Sequence, residues 1–306
     1  MFIKSRSESA ELKQLRYLHI RTNLSEKEKR HFSNLEKGYE GELKFDMLLD
    51  NLSGEWLILS DLLLEVGNTI FQIDSLLISQ KGIFLIDVKN FQGDFYIEAD
   101  RWYTASRNEI KDPLLQLRRS ESLLRRLLQD HKLNLSIEAY LIFINPEFTL
   151  YQAPRDLPII FSTQLNRFMK NLNKSSSKLN EKHSKFADLL VAKHMNESSF
   201  TQLPNYDYEQ LRKGVICRGC QSFLISYEKN QLVCHTCTCK EPLESAILRN
   251  VEELILLFPE RKITTTTVHE WCDAIVSKKT IGRILMRNYK KIGYGRHTYY
   301  IHLSES

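Results

Sequence analysis

No stretch of this chain approaches the roughly 18 apolar residues that a membrane-spanning helix needs. Met1 to Glu11 has no apolar core of signal-peptide length, and no repeat of solenoid length recurs along the 306 residues. Cysteine is scarce outside one short segment: five of the six lie between Cys217 and Cys239, and the sixth is Cys272. These absences exclude a helical membrane protein and a solenoid. With no export signal, the cysteine cluster points to metal binding in a reducing compartment rather than to disulfides. The expectation is a cytoplasmic protein with no membrane partner.

Net charge is only +5 at pH 7, but it is unevenly spread. Residues 277–306 hold Lys278, Lys279, Arg283, Arg287, Lys290, Lys291 and Arg296 against one acid, Glu305. A local excess of this kind suits a polyanion, and a solvated basic face is the alternative.

Residues 1–34 read as a polar, helical arm. A helix is predicted from Leu35 to about Leu52, then a break at Ser53-Gly54. Strand-like runs follow at Glu55–Leu64, Thr69–Ser79 and Ile83–Val88, the last two joined closely enough for a hairpin. Shorter strand signals sit at Asp94–Glu98 and Arg101–Thr104. Asp112-Pro113 supplies an N-cap and a first-turn proline for a helix to about Gln129. Ile137–Ile144 is apolar enough for a buried parallel strand, and Leu157–Phe161 is a further strand. Asn171–Lys185 reads as a linker before a short helix near Phe186–His194. Strands with intervening helices predict an α/β or α+β core.

Acids stand where the pattern calls for apolar residues. At 100° per residue, Leu35 and Leu49 flank Glu42 by about 20° on either side, so Glu42 falls inside the buried stripe and Glu40 outside it. A different helix register would expose Glu42 instead. Asp74 shares a strand face with Ile70, Leu76 and Ile78, with Gln72 beside it. Asp87 and Lys89 share one with Ile83 and Leu85. Asp87 and Lys89 alone make a structural ion pair. With Asp74 on the neighbouring strand, two carboxylates and a lysine suit a hard divalent cation such as Mg²⁺.

Gly41-Glu42, Gln72-Ile73-Asp74, the run Gly82 to Asn90 with its Asp87-Val88-Lys89, Gly93, and Asp112-Pro113-Leu114-Leu115-Gln116 together resemble the nuclease-related (NERD) domain. That domain belongs to the restriction-endonuclease-like PD-(D/E)XK superfamily. The resemblance covers roughly residues 36–150. It implies an α/β (α+β) core with a mixed central sheet and a Mg²⁺- or Mn²⁺-dependent nuclease using metal-activated water. It further implies Asp74, Asp87 and the Val88 carbonyl as metal ligands, Lys89 as catalytic lysine, Glu42 assisting the metal or its water, and Gln116 orienting phosphate or water. Gln116 shares a helical line with Leu123 and Leu127 and is predicted to face inward. Asp87 stands where the family usually has Glu.

Cys217-x-x-Cys220 and Cys234-x-x-Cys237 have zinc-ribbon spacing, with Cys239 an alternative to Cys237 as fourth ligand. Four thiolates make a closed, structural zinc site. His235 is predicted to be exposed and Cys272 a core thiol. Beyond the ribbon, Leu243–Phe258 is an amphipathic helix. Thr267-Val268-His269-Glu270 reads as a capping box for a helix carrying Trp271, Ala274 and Ile275. Lys278–Asn288 is a third helix, and a β-rich Thr298–His302 follows like a wing. This order resembles a winged helix-turn-helix, with Lys278, Lys279, Arg283, Arg287 and Arg296 for nucleic acid. A small protein-interaction domain with a basic face is the alternative.

The expected domains are an arm (1–34), a nuclease-like domain (35–200), a zinc ribbon (210–242) and a winged-helix-like domain (243–306). The expected function is a nuclease acting on DNA. A non-cleaving DNA-binding or regulatory protein and an RNA-directed nuclease are the rivals.

Overall fold

The computed structural model describes residues 1–174, 178–195, 201–223 and 225–303, with Arg296 described by its backbone alone. The chain divides into two compact units. One comprises Met1–Glu8 and Ser33–Thr201, the other Ser9–Phe32 and Gln202–Ser306. Residues 1–34 are therefore not one arm. Strand β1 (Phe2–Lys4) joins a sheet, and after it come helices α1 (Ala10–Arg21) and α2 (Glu26–Leu49). Helix α2 begins nine residues before the predicted Leu35, because Ser25 and Glu28 cap its first turn reciprocally.

In the first unit, β2 (Leu57–Val66), β3 (Thr69–Ser79) and β4 (Gly82–Lys89) form an antiparallel meander. The turn into β4 needs glycine: Gly82 has φ +153°, and a Cβ there would meet the Ser136 carbonyl oxygen at 2.7 Å. Next come β5 (Gly93–Glu98), β6 (Arg101–Thr104), β7 (Glu109–Ile110), α3 (Pro113–Asp130) and β8 (Ile137–Phe143). The unit closes with β9 (Phe148–Tyr151), β10 (Ile159–Phe161), α4 (Leu165–Lys174) and α5 (Glu181–Lys193). The six-stranded sheet has the order β1-β2-β3-β4-β8-β10 and is mixed, with β1–β2, β4–β8 and β8–β10 parallel. A four-stranded sheet, β7-β6-β5-β9, stands apart from it. The expected linker at Asn171–Lys185 is helical at both ends, where Phe168 and Leu172 on α4 and Phe186 on α5 enter the core. Ser175 to Ser177 lie outside the described residues.

Alternation along the strands sorts the core into two layers. Leu76, Leu85, Leu141 and Phe143 pack with Leu117, Leu124 and Leu128 of α3. Ile58, Leu77, Ile86 and Ile142 pack with Phe45 and Leu49 of α2 and with Phe168 of α4. Burying each such side chain stabilises the fold by roughly 1.5–3 kcal/mol. Asp112 caps α3 through the Leu114 N–H at 2.8 Å, as its sequence predicts.

In the second unit, β11 (Ile225–Glu228), β12 (Gln231–Cys234) and β13 (Lys240–Pro242) form a three-stranded antiparallel sheet. Helices α6 (Leu243–Leu257), α7 (Thr265–Trp271) and α8 (Lys278–Asn288) follow, then the antiparallel pair β14 (Lys290–Ile292) and β15 (Tyr299–Ile301). Helix α7 is capped by Thr264, whose hydroxyl accepts from the Thr267 N–H at 3.0 Å, and not by Thr267. It ends at Trp271: Asp273 and Ala274 have φ near +50°, so Ala274 and Ile275 lie beyond the helix. Helix α1 belongs to this unit because Arg21 is buried in it. Its guanidinium bonds both Glu253 oxygens, at 2.5 and 2.8 Å, and lies 4.1 Å over the Trp271 ring. Removing one partner of so buried a pair costs about 3–5 kcal/mol. Among the described residues no helix is long and apolar enough to cross a membrane.

Candidate functional site

The site lies where the β3–β4 ladder ends. Its last paired residues are Ser75 and Ile86. One step further, Asp74 and Asp87 would face each other, but the strands part, and Asp74 Oδ2 accepts the Val88 N–H at 2.8 Å in place of a ladder bond. On the other side of β3, pairing with β2 skips Asp61, which has φ +55°. An open cleft of about 600 Å³ lies here, at the carboxyl end of β4. Its lining includes Glu42, Gln72, Asp74, Val88, Lys89 and Gln116, and also Lys37 and Asn90.

Asp74 and Asp87 are both buried, 7% and 6% exposed. Lys89 Nζ lies 2.6 Å from Asp87 Oδ1 and 3.4 Å from Gln116 Oε1. Asp87 itself is not in the cleft lining; Lys89 is. Burial, reinforced by the Asp74 charge, pushes the Asp87 carboxyl up to about 6 against the pull of Lys89. Burial opposes the charge on Lys89, but Asp87 and Asp74 outweigh it and hold the ammonium above the ordinary lysine range. Lys89 is therefore a cation here, suited to contacting anionic oxygen rather than to accepting a proton.

Glu42 projects from α2 into the cleft while Glu40 is exposed, as the helical stripe predicts. Burial, with Asp74 adding to it, pushes the Glu42 carboxyl up to about 8. Gln116 departs from its expected inward orientation. It is exposed at the cleft mouth, because Leu114 and Leu117 carry the buried face of that turn.

One residue at the site has no signal in the local sequence pattern. Arg6, just beyond β1, has a side chain only 2% exposed. Its Nη1 donates to Glu42 Oε2 at 2.6 Å, and Nε to Asp46 Oδ2 at 2.8 Å. Its Nη2 donates to the Asp74 carbonyl oxygen at 2.7 Å and to Ser75 Oγ at 3.2 Å. Asp46 is equally unmarked in the sequence, although it lies four residues from Glu42 on the same helical face.

The cysteines form a second, separate centre. Among the described residues, Cys217, Cys220, Cys234 and Cys237 bring four sulfurs within 4.8 Å of one another. Cys217 and Cys237 stand 3.6 Å apart, and Cys220 and Cys234 3.5 Å. Tetrahedral zinc–thiolate bonds of about 2.3 Å require sulfur separations of about 3.8 Å, so the quartet can hold a metal such as zinc. The Gly219 N–H points to Cys217 Sγ at 3.3 Å. Cys239 stands outside the quartet, His235 is exposed and Cys272 is fully buried.

On α8, Ile281, Ile284 and Leu285 are buried, while Lys278, Lys279, Arg283 and Arg287 are exposed. Ser277 caps the helix through the Thr280 N–H at 3.3 Å. Arg287 lies 3.8 Å from Glu244, itself half-buried, and the Arg296 side chain lies outside the described residues.

Comparison with curated proteins and with solved structures gave no match. The stretch that carries the cleft is otherwise: residues 37–144, from α2 through β8, match the model of the nuclease-related domain, NERD.

Proposed function

We propose that the chain is a Mg²⁺- or Mn²⁺-dependent nuclease that hydrolyses phosphodiester bonds, with DNA as its substrate. The observation that carries this reading is a pair of buried carboxylates, Asp74 and Asp87, on adjacent strands at an open cleft, with the Lys89 cation between Asp87 and the solvent. Glu42, Asp46, Asp74 and Asp87 bring four negative charges when ionised. Arg6 and Lys89 return two positive ones, leaving a deficit of two. That deficit, and the raised proton affinities of Glu42 and Asp87, fit one hard divalent cation.

Asp74, Asp87 and the Val88 carbonyl would hold the ion. When bound, it supplies Lewis-acid polarisation of a phosphate oxygen and of water. Lys89 contributes a fixed ammonium for a phosphate oxygen, and Gln116 orients it from the cleft mouth. Glu42, with Oε2 held by Arg6, lines the cleft and would assist the metal or its water.

In the second unit, the cysteine quartet holds a structural zinc. Helices α6 to α8 with the β14–β15 hairpin act as a winged-helix-like module, in which Lys278, Lys279, Arg283 and Arg287 contact phosphates.

A non-cleaving nucleic-acid binder is the second reading, favoured by one observation: Lys89 caps Asp87 at 2.6 Å, and Asp87 does not line the cleft. Incubating the purified protein with single- and double-stranded DNA and RNA, in Mg²⁺, Mn²⁺ or EDTA, separates the two. The nuclease reading expects cleavage of DNA that EDTA stops. It also expects Asp74→Ala, Asp87→Ala and Lys89→Ala to abolish cleavage with DNA binding retained. Binding without cleavage under every condition supports the second reading, and cleavage of RNA alone reassigns the substrate.

A further inference from the structure

We infer that Arg6 is a positioning residue that reserves Asp74 and Asp87 for the metal by holding Glu42 and Asp46 out of its coordination sphere. This rests on the nuclease reading above. The guanidinium is nearly fully buried, and its three nitrogens reach two carboxylates and a backbone carbonyl. Nε and Nη2 grip the two oxygens of Asp46, at 2.8 and 3.3 Å, as a fork. Nη1 takes Glu42 Oε2 at 2.6 Å. Nη2 also reaches the Asp74 carbonyl oxygen, which the interrupted β2–β3 ladder leaves without a strand partner at Asp61.

The consequence is a division of labour among four acids crowded at one end of the sheet. Glu42 and Asp46 sit on successive turns of α2 and share a built-in cation. The hydrogen bond that Arg6 gives Asp74 goes to its backbone carbonyl, and the Asp74 carboxylate is aimed by the Val88 N–H. Lysine could not replace arginine here, because a single ammonium lacks the planar fork that spans two carboxylates and a carbonyl. The segment carrying Arg6 is itself anchored. The β1 strand pairs with β2, the Met1 amino group bonds the Trp56 carbonyl at 2.9 Å, and Lys4 Nζ bonds the Ser60 and Asp61 carbonyls at 2.9 and 2.8 Å.

A residue that only held the fold together would weaken metal binding when removed. An exclusion role has the opposite sign, since losing the cation frees two carboxylates and raises the negative potential. The test is calorimetric titration of the zinc-loaded full chain with Mn²⁺, without nucleic acid, beside single-turnover cleavage at saturating Mn²⁺. Arg6→Gln is expected to bind Mn²⁺ roughly tenfold tighter or more, while cleavage falls at least as far. Asp46→Asn added to Arg6→Gln removes one negative charge for the positive charge lost, and is expected to return Mn²⁺ affinity toward wild type. Arg6→Lys keeps the charge and loses the fork, so Mn²⁺ affinity should stay within about twofold while cleavage drops.

Unchanged or weaker Mn²⁺ binding by folded Arg6→Gln overturns the inference and leaves the nuclease reading standing. If Arg6→Gln does not fold, Arg6→Lys decides: wild-type cleavage by that variant overturns the inference, and lowered cleavage at unchanged affinity supports it. A wild-type chain that neither binds Mn²⁺ in an Asp74-dependent way nor cleaves removes the nuclease reading itself.

Discussion

A β-carbon on Gly41 would stand 2.6 Å from that of Asn90, so α2 reaches the end of β4 only because residue 41 has none. The same atom would crowd Asn90 Cγ at 3.1 Å and Ile144 Cγ2 at 3.2 Å. Asn90 cannot retreat freely, because its amide donates to the Lys37 carbonyl at 2.8 Å. Gly41→Ala is expected to cost about 1–3 kcal/mol through overpacking. Gly38, one turn earlier, has nothing within 4 Å of its would-be Cβ. Gly38→Ala should therefore stabilise α2 by about 0.5–1 kcal/mol. Urea midpoints of the two variants, moving in opposite directions, are the check.

Glu42 makes stability depend on pH with a definite sign. Its carboxyl titrates at about 8 in the folded chain against an ordinary value of 4.5, so between those limits the folded state holds the extra proton. Stability from this group is then full below about 4.5 and is lost as pH rises toward 8. In EDTA, the thermal midpoint should fall across that window, and Glu42→Gln should flatten the fall. Glu40→Gln should track wild type, because Glu40 is exposed. In cleavage assays the Glu42 variant should likewise lose far more than the Glu40 variant, and equal losses would contradict the placement of Glu42 in the cleft.

One tightly held zinc per chain is the expected content of the cysteine quartet. Cys217→Ser and Cys234→Ser should each release it, with loss of amide protection across residues 210–240, since metal binding and folding are one event in so small a sheet. Metal analysis of wild-type protein showing neither zinc nor iron would dispose of the assignment.

The basic face of α8 is expected to dominate non-specific affinity for nucleic acid. Neutralising Lys279, Arg283 and Arg287 together should weaken duplex binding and reduce the log–log salt slope by roughly 2–3 units, at about 0.9 for each phosphate no longer neutralised. The Arg287–Glu244 pair does not stand in the way, because an ion pair 3.8 Å long with Arg287 in solvent is worth little. Titration across salt concentrations measures the slope, and an unchanged slope would return the face to solvent or to a protein partner.

What could be read from the sequence alone was whatever local periodicity encodes. A two-residue alternation put Asp74, Asp87 and Lys89 on strand faces of β3 and β4 that are otherwise apolar, and a 3.6-residue period separated Glu42 from Glu40. The Asp112-Pro113 cap, the parallel strand at Ile137 and the cysteine quartet were equally legible, because each is a short-range pattern tied to one backbone geometry. Partners at long range carry no such pattern. Arg6 lies in a polar segment without a period, and its bonds reach residues 36, 40 and 68 positions away. Ser9–Phe32 groups with the C-terminal unit through contacts such as Arg21 with Glu253, 232 positions apart, and the burial of Leu18 and Leu24 in its core. Gln116 shows the same limit in miniature: Leu127 on its helical line is buried as expected, but Gln116 itself is exposed and lines the cleft. Periodicity specifies which face of an element is buried, and only the packed chain specifies what it is buried against.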